Sequence, residues 1–385
     1  MAILLAFLFA ISSVLPALAD RDIVVSMQLY RWSGHYQSDS YGDREETLDE
    51  LGPYHLYRMN PDGSHRTRLT HGPFDDDVIA FSPNGKRVLF GREPDGVDFV
   101  PDKYDLYVIN SAGGKPVRLW SLPQGRHFEA MEWSPDGRTL GMITQTDDYP
   151  DKGWLLTLLD IRSRHTQTLA DVEYFAWSPD SCKLYLQRID GKGSILDMRT
   201  GKSKPVASPV VDPIWLDDWS IFGDIPQSDP DSPRTDDLAR VINIDGTERY
   251  RLNIRPAVRM AAEPWTLDED IGLVSRRPRT WYRIPGAKNC LIGEIAHQMS
   301  DGYHYACFRV DLRTGRYWPL PVGLLVGIAP DGKHIAIADN EDWIGSYKSG
   351  GERAGPLYIV DLWTGRKKAI TGRLIGISGG DWRKR

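Results

Sequence analysis

The sequence predicts an all-β chain folded as a single β-propeller of four-stranded blades, and three observations carry that reading. A strand–turn–strand phrase recurs: "AFSPNGKRVLFG" from Ala80, "EWSPDGRTLGM" from Glu132 and "GIAPDGKHIAI" from Gly327. A second phrase, an alternating strand running into a polar turn, recurs between the copies of the first. The two alternate at a spacing of about 50 residues, the period of a four-stranded blade.

The first phrase supplies strands A and B of each unit. Its turns are Ser82-Pro83-Asn84-Gly85, Ser134-Pro135-Asp136-Gly137, Ser178-Pro179-Asp180-Ser181 and Ala329-Pro330-Asp331-Gly332. Pro presets φ, Asp or Asn accepts a local backbone hydrogen bond, and Gly takes positive φ. Worn copies are expected at "WLDDWSIFG" (Trp215), "WTLDEDIGLV" (Trp265) and "SGGDW" (Ser378). The second phrase supplies strand C and the turn into D: "LYRMNPDGS" (Leu56), "LYVINSAGG" (Leu106), "LTLLDIRSR" (Leu156), "SILDMRTGK" (Ser194), "RVINIDGTE" (Arg240), "FRVDLRTGR" (Phe308) and "LYIVDLWTG" (Leu357). Trp133 and Trp177, which end strand A, read as packing residues between neighbouring sheets.

The phase of the repeat explains the two ends. The chain opens with strands B, C and D (23–31, 55–60, 66–70) and closes with a lone strand A (373–382). The last strand is therefore expected to join the N-terminal blade, leaving no half-blade edge. That gives seven blades, or six if a worn copy is not a blade. The weakest stretch is 258–320, too long for one blade and too short for two.

These phrases resemble the repeat of the TolB-like β-propeller family, a relative of the WD-repeat propellers. The Ser-Pro-Asp-Gly hairpin followed by "LYRMNPDGSHRTRLT" (56–70) carries the resemblance, which extends over about 55–200 and 325–371. TolB itself has an α/β domain before its propeller, for which this sequence leaves no room. The resemblance implies a fold that serves many functions.

The remaining features narrow the function. The N-terminal stretch "MAILLAFLFAISSVLPALAD" is apolar and ends in small-x-small, so residues 1–19 read as a secretory signal, 20–385 as the propeller, and the location as periplasmic or secreted. A net charge of −6 argues against nucleic acid, and the chain after residue 19 has no run long enough for stable membrane insertion. Of three cysteines, Cys290 and Cys307 flank a hairpin and either pair or stay free, and Cys182 is the odd one.

Catalytic patterns are sparse. "GISGG" (376–380) matches G-x-S-x-G at Ser378, but neither a helix nor a downstream His follows, as a nucleophile elbow requires. No cofactor motif is present. His297 and His304 bracket Asp301 beside Gln298, a set similar to the metal site of some propeller-shaped pectin-fragment lyases; no second His pair accompanies it. Asp75-Asp76-Asp77 lacks the spacing of a Ca²⁺ loop.

The long connections speak more clearly. The A–B and C–D turns are short, whereas the B–C connections 31–53, 93–104, 145–153, 223–237, 277–302 and 339–355 are long. They carry −13 in all, against +7 for the rest, with 277–302 ("RPRTWYR") the one basic exception. Long insertions gathered on one face mark a binding face. The expectation is a non-enzymatic binding module that engages a protein, peptide or envelope polymer, basic by charge complementarity, through these acidic, aromatic-rich loops. The contact residues read from them are Asp98, Asp102, Asp148, Tyr149, Asp229, Asp231, Asp342 and Trp343; no metal or cofactor is assigned. The alternative is an enzyme with a channel-mouth site, a metal-assisted polysaccharide lyase or hydrolase, drawing on His127, His297 and His304.

Overall fold

The computed structural model describes residues 22–38, 44–92, 104–146, 153–225, 238–254, 256, 280–299, 302–339, 342–344 and 352–383. The chain is a β-propeller of seven four-stranded antiparallel blades. Two compact units divide it: residues Met1–Gly96, Leu106–Arg118 and Pro321–Arg385, and residues Val97–Asp105 and Leu119–Leu320.

In the first unit, strands β1 (Ile23–Ser38), β3 (His55–Met59) and β4 (Thr67–Arg68) supply B, C and D of the N-terminal blade, and β31 (Ile375–Trp382) supplies A. Residues 23–29 of β1 pair with β31, Ile23 opposite Trp382 and Leu29 opposite Ile375, so the expected closure by the last strand is present. Next comes the blade of β5 (Asp76–Phe81), β6 (Arg87–Arg92), β7 (Asp105–Asn110) and β8 (Val117–Trp120). The seventh blade is β25 (Leu324–Ile328), β26 (His334–Ala338), β29 (Leu357–Asp361) and β30 (Lys367–Ala369).

The second unit holds four blades. They are β9 (Arg126–Trp133) to β12 (Thr166–Ala170), β13 (Val172–Trp177) to β16 (Ser203–Val206), β17 (Val211–Asp217) to β20 (Glu248–Asn253), and β21 (Thr280–Arg283) to β24 (Tyr317–Pro319). We refer to the last two as blades 5 and 6.

The inner strands are apolar on both faces because, within each unit, sheet packs against sheet. Alternation then decides which neighbour a side chain meets. In blade 5, Ile221 packs with Tyr185 and Ile195 of the preceding sheet, whereas Phe222 packs with Trp281 and Phe308 of blade 6, its ring 4.8 Å edge-on from Trp281. Trp133 and Trp177 are buried as expected.

The A–B turns form as their chemistry dictates. Gly137 N donates to Ser134 O at 2.8 Å, and Ser134 Oγ bridges Asp136 Oδ1 and the Thr139 amide. The fourth turn position takes φ near 65–70° as Gly85, Gly137 and Gly332, and Ser181 adopts 59° there. In the C–D turns an Asp performs the same task. Asp311 Oδ1 accepts from the Arg313 and Thr314 amides, both at 2.9 Å, and from the Thr314 hydroxyl, and Asp160, Asp197 and Asp361 repeat the pattern.

Three expectations are corrected. Segment 277–302 is not a B–C connection: it contains β21, the A–B turn at 284–289, and β22 (Cys290–Met299), which joins β23 (Gly302–Asp311) directly. The β22–β23 ladder runs on to Met299 opposite Gly302, which leaves no loop there, and Pro285-Gly286 makes the A–B turn that Ser-Pro-Asp makes elsewhere, the Ala287 amide donating to Ile284 O at 3.0 Å. Second, Ser378 lies inside β31 rather than in a turn, and its hydroxyl donates to Asp77 at 2.8 Å. Third, two B–C connections are themselves strands: β1 runs on to pair with β2 (Arg44–Glu50), and β27 (Asp342–Ile344) pairs with β28 (Glu352–Ala354), which joins β31 at Gly376. Of the two readings left open for the cysteines the free one holds: the register sets Cys290 opposite Asp311 and Cys307 opposite Glu294, four rungs apart, and all three cysteines are free thiols. The worn copy from Trp265 and residues 1–19 lie outside the described residues. Among those described, no helix is long and apolar enough to cross a membrane.

Candidate functional site

The expected contact residues divide in two. Asp98, Asp102, Asp148, Tyr149, Asp229 and Asp231 lie outside the described residues, while Asp342 and Trp343 are placed on β27 as the backbone partners of Ala354 and Arg353. The basic exception among the long connections, 277–302, now belongs to the body of blade 6. The five acidic connections that remain carry −15. His297 and His304 are direct cross-strand partners in the β22–β23 hairpin.

The acidic run at 75–77 is dispersed among three tasks. Asp75 Oδ1 accepts the Tyr54 amide at 2.6 Å, Asp77 accepts from Ser378, and Asp76 is fully buried in a two-pronged pair with Arg92 at 2.6 and 2.9 Å. Arg92 stacks within 4.8–5.4 Å of the rings of Phe74, Phe90 and Tyr107. His55 lies beside this pair, 4.0 Å from Asp76. Burial and the Arg68 charge push its pKa down to about 4, with Asp76 opposing.

A recess of the second unit lies at the tight-turn ends of blades 5 and 6. One cleft of about 750 Å³ is lined by residues 249–253 of β20, by Asn289 and by Leu312–Gly315. A second, of about 410 Å³, shares Arg249, Tyr250, Asn289 and Arg313 with it and adds Asp217, Asp218, Arg283 and Lys288. The two therefore form one trough.

Its charge follows from the turn chemistry. In Asp311-Leu312-Arg313-Thr314-Gly315 the acid turns inward to hold the backbone, and Arg313 is left at the exposed apex. Burial works against the Asp311 carboxylate, but the hydrogen bonds from Thr314 and Arg313 outweigh it and hold its pKa below the usual range. Asn289 fixes the Arg313 fork: its carboxamide oxygen, turned toward Arg313, accepts from Nη2 at 3.1 Å and Nε at 2.9 Å. On β20 the exposure alternates, with Arg249 and Arg251 outward and Tyr250 and Leu252 inward. Arg251 pairs with Glu248 at 2.6 Å, and Arg240 approaches the same carboxylate at 3.4 Å.

Five cations thus face the trough against two carboxylates. Asp217 is occupied by the Trp219 amide and the Ser220 hydroxyl, and Asp217 and Asp218 together offset Arg283. Among the described residues Arg249, Lys288 and Arg313 have no carboxylate within ion-pair distance. Burial raises the Tyr250 phenol, with the Arg249 and Arg313 charges working against it, so its hydroxyl stays protonated at neutral pH. Among the described residues the lining contains no His and no Cys. Such a surface can hold anions by charge and by the Arg fork.

Sequence reasoning missed this trough. Its signals were present: the outward Arg of the Asp-Leu-Arg-Thr-Gly turn, and the alternation in "ERYRLN" (248–253). What no sequence pattern contained was their meeting, since Arg249 and Arg313 belong to different blades.

Neither a family model nor a curated protein matches this chain. Solved structures similar to it include an oligogalacturonate lyase in complex with manganese, 14% identical, covering 91% of this chain and 86% of that one at a TM-score of 0.47. TolB from Acinetobacter baumannii is 12% identical over 98% of this chain and 70% of its own, also at 0.47. An oligogalacturonate lyase from Vibrio parahaemolyticus is 13% identical, covering 90% and 85%, again at 0.47. TolB, whose repeat the sequence phrases resemble, is among these structural neighbours.

Proposed function

We propose that this protein is an exported, non-enzymatic binding module and that the trough on blades 5 and 6 holds an anionic partner. One observation carries the reading: three exposed cations that have no carboxylate partner among the described residues converge on one recess. Export rests on residues 1–19, with cleavage before Asp20, which the mass of the mature protein tests.

The test of the trough is a titration of the purified protein with inorganic tripolyphosphate and with a fluorescent Glu-rich peptide, at low and high salt. Arg249→Glu with Arg313→Glu is expected to weaken both at least tenfold and to flatten the salt dependence. Equal affinity in the wild type and the double variant would rule the trough out.

A second reading concerns the opposite charge. The acidic connections, through Asp98, Asp102, Asp148, Tyr149, Asp229, Asp231, Asp342 and Trp343, are proposed to steer a basic protein or peptide. The charge segregation along the sequence favours it, with −15 in five connections of a chain whose net charge is −6.

A further inference from the structure

We infer that Asn289 is the positioning residue of the anion site: it occupies the side edge of the Arg313 guanidinium and leaves the end edge to the ligand, so that the trough selects an oxyanion with two oxygens on one atom. The inference rests on the anion-binding reading above and makes it specific.

A guanidinium has two edges that offer parallel N–H bonds: the side edge of Nε and Nη2, and the end edge of Nη1 and Nη2. Asn289 takes the first, its carboxamide oxygen accepting from Nη2 at 3.1 Å and from Nε at 2.9 Å. A carboxamide is neutral, so it orients the fork without cancelling its charge. An exposed arginine loses rotamer freedom when it binds, and one already held in place loses less. Asn289, Arg313, Arg249 and Tyr250 line both clefts, so a ligand that extends from one cleft into the other passes Arg313. The Tyr250 phenol stands in the field of both arginines and supplies a further O–H donor.

The other blades show that this pairing departs from the repeat. In blade 6 the Leu312 amide donates to Asn289 O at 2.7 Å, which ties the C–D turn to the A–B turn. The same backbone tie recurs in five other blades, onto the carbonyls of Lys86, Arg138, Cys182, Trp219 and Lys333. None of those five residues has a carbonyl in its side chain. Two of the five blades also carry an arginine at the turn's apex, Arg162 beside the tie to Arg138 and Arg199 beside the tie to Cys182. Among these six ties, only that of blade 6 sets a carboxamide beside an apical arginine. Because the tie runs through the backbone, the side chain at 289 can be exchanged without breaking it.

The experiment measures binding of inorganic tripolyphosphate and of the Glu-rich peptide to the whole protein, in a double-mutant cycle of Asn289→Leu and Arg313→Lys. The two probes separate a phosphate from a carboxylate. Asn289→Leu alone is expected to weaken the tighter probe about three- to tenfold, the worth of one side chain ordered in advance. Its salt dependence should not change, because no charge is altered. In the Arg313→Lys background the charge remains but the fork is gone, and Asn289→Leu is expected to change affinity less than about twofold. Asn289→Asp keeps the acceptor and cancels the charge, so it should weaken binding and flatten the salt dependence. If Asn289→Leu has no effect in the wild type, or the same effect in both backgrounds, the positioning role is overturned and the anion site survives. If neither probe binds the wild type, both readings fall together.

Discussion

Replacing Trp382 by Ala tests the closure of the N-terminal blade. Trp382 is fully buried at the end of β31, opposite Ile23, in a cluster with Val25, Met27, Val326 and Ala336. Strand β25 lies so close to β31 that position 327 admits only Gly: a Cβ there would stand 2.7 Å from the Trp382 backbone nitrogen and 3.1 Å from its Cβ. Removing a buried Trp ring costs about 3–5 kcal/mol, the lost transfer energy plus the cavity left behind. A chain of this size unfolding as one unit has an entropy of roughly 0.75 kcal/mol per kelvin, so Tm should fall by about 4–7 °C. Trp219, 67% exposed, is the control, and Trp219→Ala should move Tm by about 1 °C or less. Thermal unfolding by circular dichroism reads both, and hydrogen exchange at 23–29 should rise only in the Trp382 variant. Equal melting of the two variants, with unchanged exchange at 23–29, would refute the pairing of the last strand with the first.

Other outcomes follow from the same geometry. His55 is neutral in the fold because burial lowers its pKa to about 4, so the unfolded chain takes up the proton first. Stability should fall as pH drops from about 6.5 toward 4.5, and His55→Gln should remove that part of the slope in urea titrations at stepped pH. Exposed Cys182 should react with a thiol reagent at once; Cys307, buried and pushed up by burial and by Glu294, should react only on unfolding. Fewer than three thiols in denaturant without reductant would reveal a disulfide. Reversing charge at Asp229, Asp231 and Asp342 together should slow association with a basic partner and flatten its salt dependence; unchanged rates would remove the acidic connections from the interface.

Much of the fold was legible because turn chemistry is local. Each Ser-Pro-Asp-Gly or Asp-x-Arg-Thr-Gly turn closes its hydrogen bonds within five residues, so its identity survives in a short window of sequence. Blade 6 was misread because it spells its A–B turn "IPGAKN" and joins β22 to β23 with almost no connection. Its first strand, Thr280–Arg283, is short and flanked by Pro278 and Pro285, which read as loop. The site was less legible for a different reason. Arg313 owes its place to Asn289 on an earlier turn of the same blade, and the trough exists only where that pair meets β20 of the blade before. The expected contact residues rested on charge in long connections, which sequence counts well but cannot position.

The pairing of β31 with β1 also sets the order in which this molecule can be completed. During synthesis from the N-terminus, residues 23–29 emerge first, yet their inner neighbour arrives some 350 residues later. At the roughly 5–20 residues per second of translation, that strand spends tens of seconds with one side unfilled. Nascent intermediates of this chain therefore share one sticky margin, and a cell that makes it in quantity has to shield that margin until residue 382 is out.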